Sequence, residues 1–144
     1  MTGALVTLGY EQRTLTELAD ALVDAGVEMV VDVRLTPMSR KPGMSKKRIS
    51  EAVEAVGIEY VHAKALGNPK DNRDGFHRGE PAALARYRTV LDSVEASTAL
   101  DDIADALKTK TVALLCLEAD PQICHRTLVA EAVRKKRRVR LLEL

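Results

Sequence analysis

Apolar residues follow two alternating rhythms along this chain. Compact, mostly apolar runs at Ala4 to Leu8, Met29 to Val33, Ile58 to His62, Thr111 to Leu115 and Arg138 to Leu144 read as strands. Between them, apolar positions recur three and four residues apart, the spacing of a helix with one buried face. Leu15, Leu18, Ala19, Leu22 and Val23 keep that spacing behind Thr14-Leu-Thr-Glu17, a capping-box sequence, and Gly26 stops the helix. Lys46 to Val56 gives a second helix, stopped by Gly57. Pro81 to about Lys108 is helical, with an interruption expected near Ser97-Thr98. A last helix should run to about Lys136, opened by Asp120 as N-cap and Pro121 at the first helical position. Arg34 to Lys47 and Lys64 to Glu80 read as long loops.

Strands that alternate with helices predict an α/β fold: a mostly parallel sheet of about five strands with helices on both faces, three layers in all. The 144 residues fit a single α/β domain spanning residues 1–144, with no repeat or linker. Right-handed crossovers then bring every strand-to-helix turn to the carboxyl edge of the sheet, where open sheets bind ligands. Those turns hold Gly9-Tyr10, Arg34 to Arg40, His62 to His77 and Cys116 to Arg126, so their polar residues are expected to share one rim.

Composition narrows the function classes. The single Phe and the absence of Trp leave an aliphatic core and speak against an aromatic platform for single-stranded nucleic acid. A net charge of +1 disfavours a nucleic-acid partner. The basic run Arg134 to Arg138 falls where a helix ends, and cations there complement the helix dipole. No signal peptide and no apolar run of membrane-spanning length is visible, so no membrane partner is expected. Two cysteines without a secretion signal suggest a reducing cytoplasm and free thiols.

The chemistry concentrates in Cys116-Leu-Glu118-Ala-Asp120-Pro-Gln-Ile-Cys124-His125-Arg126, which holds both cysteines and one of the three histidines. A thiol in the first turns of a helix has its pKa lowered by the helix N-terminus. Glu118 and His125 offer acid, base or orienting groups beside Cys116 and Cys124. The Cys-x5-Arg spacing of thiol phosphatases is absent, because Gln122 stands six residues after Cys116. Cys-x7-Cys-His fits no standard zinc spacing, and Cys124 and His125, as neighbours on one helix, should point apart. That argues against structural zinc and leaves a catalytic metal open. His62 and His77 could complete such a site, although His77 reads more readily as an exposed loop residue. Asp32 is an acid in an apolar strand and needs a partner. Arg34, Arg40 and Arg126 present guanidinium forks suited to an anion, against the plainer alternative of an ion pair between Arg34 or Arg40 and Asp32. Tyr10 offers a hydroxyl at the crevice.

Gly9-Tyr10, Asp32-Val-Arg34-x-x-Pro37-x-Ser39-Arg40, Tyr60 with Leu66-Gly67, and Cys116-x-Glu118-x-x-Pro121-x-x-Cys124-His125-Arg126 together resemble the family called domain of unknown function 488. The resemblance spans nearly the whole chain. It implies a compact α/β domain whose blocks line one site, and it brings no reaction with it. The expectation is an enzyme that uses a reactive cysteine, Cys116 or Cys124, on a small or nucleotide-like anionic ligand held by the arginines and oriented by Tyr10. The alternatives are a metal-dependent enzyme with the Cys/His cluster as ligands, and a binding module for nucleotides or nucleic acid.

Overall fold

In the computed structural model, which describes residues 3–36, 44–118 and 124–144, five strands form one sheet. They are β1 (Leu5–Gly9), β2 (Met29–Asp32), β3 (Glu59–His62), β4 (Val112–Cys116) and β5 (Leu141–Glu143). The order is β3-β2-β4-β1-β5 and every pairing is parallel. Six helices cover it: α1 (Leu15–Asp24), α2 (Lys46–Ala55), α3 (Arg73–His77), α4 (Pro81–Leu91), α5 (Val94–Ala106) and α6 (Arg126–Lys136). The architecture is the expected three-layer α/β arrangement.

Side-chain alternation along the strands divides the interior in two. Val6, Leu8, Val30, Ala113 and Leu115 face Leu18 and Leu22 of α1 and Ile49 and Val53 of α2. Leu5, Val31, Val112, Leu114 and Cys116 face the other way, toward Phe76 of α3, Tyr87 of α4, Leu100 and Ile103 of α5, and Val129 and Val133 of α6. Connections leaving β1 and β2 therefore run over one face, and those leaving β3 and β4 over the other. β1 and β4 are neighbours whose helices depart to opposite faces, which makes their carboxyl ends the switch point of the sheet. Gly9 pairs with Cys116 there, and the ladder continues through Tyr10 N–H to Cys116 O (3.1 Å) and Glu11 N–H to Leu117 O (2.9 Å).

Local signals explain most boundaries. Thr14 and Glu17 form the predicted capping box, each side chain accepting from the other's backbone N–H at 3.1 and 2.9 Å. Gly26 and Gly57 follow α1 and α2 with φ of +71° and +83°, a conformation that L side chains rarely adopt. The long helical region does break, but at Asp92-Ser93 rather than Ser97-Thr98. The Ser93 side chain caps α5 by accepting from Ala96 N–H, whereas the Thr98 hydroxyl folds back onto Val94 O inside the helix. The segment Lys64 to Glu80 is also more ordered than a loop. It contains two 3₁₀ turns and α3, secured by Asn72 donating to Asn68 and Ala83 O, and by Phe76 meeting Tyr87 edge to face.

One close approach matters at the rim. Gly67 lies so near Leu35 that a Cβ at position 67 would overlap the Leu35 backbone.

Candidate functional site

The residues expected on one rim form two clusters, one on each face of the sheet. In the β2–β4 register Asp32 stands beside Leu115, so Asp32 and Cys116 project to opposite sides.

On the α1/α2 face, Asp32 is fully buried and accepts from the Arg34 backbone N–H (3.1 Å), Arg34 Nε (2.8 Å), Arg34 Nη2 (2.6 Å) and the Tyr60 hydroxyl. Arg34 Nη1 donates to Tyr10 Oη (3.2 Å) and Met44 O (2.7 Å), and the guanidinium lies over the Tyr10 ring. Burial disfavours the Arg34 cation, but Asp32 and Tyr10 more than offset that and raise its pKa. Burial and the Asp32 carboxylate likewise raise Tyr60 well above the usual tyrosine range. The ion pair with Asp32, rather than an external anion, is therefore what occupies Arg34. Tyr10 is buried against it instead of lying open to a substrate. Arg40, with Pro37 and Ser39, lies outside the described residues.

On the other face, Cys116 at the end of β4 meets Cys124 and His125. Their two sulfurs and a His125 ring nitrogen lie within 4.8 Å of one another, and the residues are only 5 %, 1 % and 6 % exposed. Neither thiol is in a disulfide. The expected helix start at Asp120-Pro121 lies outside the described residues, and α6 begins at Arg126, with His125 as its N-cap. Cys124 and His125 thus precede the helix rather than riding on its first turn. That removes the reason for expecting them to diverge: Cys124 Sγ and His125 Nδ1 are 4.0 Å apart.

His125 is held from three sides. Its Nε2 lies 2.8 Å from Val33 O, and a carbonyl can only accept, so Nε2 carries the proton. In the neutral ring this leaves the Nδ1 lone pair facing the sulfurs. Tyr87 packs its ring edge to face with the imidazole (centroids 5.2 Å, 72°) and donates its own hydroxyl to Leu66 O at 2.6 Å. The sequence marked Tyr87 only as part of a helix. It is the contact that fixes the imidazole plane.

Glu118, two residues past Cys116, is buried beside this group. Its Oε1 takes His77 Nε2 at 2.8 Å, and Arg126 Nη1 donates to its backbone carbonyl. His77 is therefore a partner of the site, although its side chain is 40 % exposed as a loop residue would be. Glu118 Oε2 is buried with no N–H or O–H partner among the described residues. His62 is bonded elsewhere, through Nε2 to Arg34 O (2.8 Å).

The charges in the metal-free cluster are unequal. Burial pushes Cys124 up, but hydrogen bonding from the Cys116 thiol and from His125 outweighs it and lowers the pKa to about 6. Cys116 moves the other way: hydrogen bonding to Cys124, burial and the Cys124 charge all keep it protonated. Burial disfavours the His125 cation, yet the Cys124 sulfur holds its pKa above the usual histidine value. Burial raises Glu118, while hydrogen bonding with the Cys124 thiol, its own backbone and His77 brings it below the usual carboxylate range. In the metal-free protein this is a Cys124 thiolate against a His125 ring that donates Nδ1–H to it once protonated, with a second thiol within reach and a carboxylate alongside.

The fold and this cluster define an α/β protein with a Cys/His centre at the switch point of a parallel sheet. The family model for the domain of unknown function DUF488 matches residues 14–133, and the chain belongs to that family. No curated protein and no solved structure matches it. Among the described residues no helix is long and apolar enough to cross a membrane.

Proposed function

We propose that Cys116, Cys124 and His125 bind a thiophilic divalent cation of the zinc class, and that the protein is a metal-dependent enzyme in which water at the metal is the reacting group. The observation that carries this reading is the convergence of two sulfurs and one imidazole nitrogen within 4.8 Å, with Nδ1 turned inward because Nε2 is spent on Val33 O. A backbone carbonyl on the far ring nitrogen is the usual support for a metal-bound histidine. With bond lengths of about 2.3 Å to sulfur and 2.0 Å to nitrogen, tetrahedral ligands stand about 3.5–3.8 Å apart. The 4.0 Å between Cys124 and His125 needs only a small contraction to meet that. Three protein ligands leave a fourth position for water, the pattern of catalytic rather than structural zinc. Near-complete burial of both thiols suits ligands better than nucleophiles that a substrate must reach.

The low pKa of Cys124 favours a second reading, in which the metal-free Cys124 thiolate is itself the nucleophile and His125 its partner. One experiment separates the two. The protein is purified without chelator, its metal content measured, and Co²⁺ added to the metal-free form. The expected result is about one equivalent of zinc, and a cobalt–thiolate charge-transfer band that weakens in Cys124→Ala and disappears when Cys116→Ala is added. No retained metal and no cobalt band, with rapid alkylation of Cys124, would reject the metal reading and leave the thiolate one.

A further inference from the structure

The metal reading accounts for three side chains and leaves a buried carboxylate oxygen beside them without a function. Glu118 is anchored at two points: its carbonyl receives Arg126 Nη1, and its Oε1 receives His77 Nε2 at 2.8 Å. The remaining oxygen, Oε2, is buried and has no N–H or O–H partner among the described residues. Leaving a carboxylate oxygen in that condition is costly unless something beyond the described residues meets it. The Glu118 carboxylate does not belong to the group of ligand atoms within 4.8 Å, which comprises only Cys116, Cys124 and His125 among the described residues. It stands next to the ligands rather than among them. The three ligand residues and Glu118 are nearly sealed, while the His77 side chain bonded to Glu118 is 40 % exposed, so the His77–Glu118 pair connects the buried group to the surface.

We infer that Glu118 Oε2 faces the open coordination position of the Cys116/Cys124/His125 centre and accepts the proton of water bound there, with His77 as the residue that positions it. The inference rests on the metal-centre reading above. In the step, one O–H bond of the metal-bound water breaks and its electron pair stays on oxygen as hydroxide. The proton forms a bond to Oε2, while His77 keeps Oε1 in place. The ligand class that follows is a neutral or electrophilic group presented to a bound hydroxide, in a reaction of the hydrolytic type.

The test uses the full chain loaded with Co²⁺ and titrated with azide, an anion that displaces metal-bound water. In the unchanged protein azide should meet the Glu118 charge and bind weakly. Glu118→Gln removes that charge and should tighten azide by about tenfold or more, the effect of a like charge a few ångströms away, while the azide-free cobalt spectrum stays the same. His77→Ala, which frees the carboxylate to swing, should move azide affinity in the same direction, and His77→Gln, which retains a donor, should restore it. Unchanged azide affinity in Glu118→Gln would overturn the inference. So would an altered azide-free spectrum with weaker cobalt binding, since that would make Glu118 a ligand. Failure of the unchanged protein to bind cobalt would instead reject the metal centre, and the inference with it.

Discussion

Replacing Asp32 by Asn tests how the two clusters support each other. Asn keeps the shape of the side chain and one acceptor oxygen, but removes the charge that Arg34 faces. Asp32 has no exposed surface and Arg34 is almost completely buried, so the guanidinium would be left as a cation in the interior. Removing one partner of a buried pair costs about 3–5 kcal/mol. Because the one oxygen of Asn can still accept from either the Arg34 backbone, which bonds Oδ1, or Tyr60, which bonds Oδ2, the lower end, about 3 kcal/mol, is expected. In a chain of this size that is a fall in Tm of roughly 6–12 °C. Urea unfolding followed by circular dichroism gives the free energy directly. Adding Arg34→Met to Asp32→Asn removes the stranded cation, and the double variant should recover at least about 1 kcal/mol relative to additivity. The consequence reaches the other face, because Val33, between Asp32 and Arg34, supplies the carbonyl that orients His125. Cobalt affinity in Asp32→Asn should therefore fall too. A loss of stability below about 1 kcal/mol, the value of an exposed pair, would refute the claim that this ion pair organises the rim.

Two further outcomes follow from the site geometry. In the metal-free protein, Cys124 should alkylate at a rate that rises with pH through about 6 and then levels off, since its thiolate fraction grows as pH passes the lowered pKa, while Cys116 reacts only at far higher pH; peptide mass mapping distinguishes the two, and zinc should protect both. Tyr87→Phe keeps the ring against His125 but strands the Leu66 carbonyl, so stability measured by urea unfolding should drop about 1–3 kcal/mol with cobalt affinity nearly unchanged.

The fold was legible where local chemistry decides it. Apolar runs placed every strand to within a residue or two, except that β5 (Leu141–Glu143) is shorter than its run, and the Thr14/Glu17 box and Gly26 placed both ends of α1. The break between α4 and α5 was misplaced because Ser93, Ser97 and Thr98 are all hydroxyl residues able to cap or to fold back, and only packing decides which does. Cys116, Cys124 and His125 do come together with Glu118 beside them, as their concentration in one segment suggested, although Cys124 and His125 were expected to point apart. The separation of Arg34 and Tyr10 from them could not be read without register: Asp32 beside Leu115 is a pairing between distant strands, and one residue of slip would put the carboxylate on the thiol face. The His77–Glu118 bond joins positions 41 apart, with no local signal to announce it.

The contact between Gly67 and Leu35 works as a rivet through the rim. It pins the segment after β3 to the segment after β2, and the same stretch receives the His62 ring on Arg34 O and lends Val33 O to His125. Even a methyl group at position 67 would have to pry these two segments apart, and the wedge would be felt at the imidazole. The aim of a nitrogen in the buried centre is thus set in part by a residue that has no side chain.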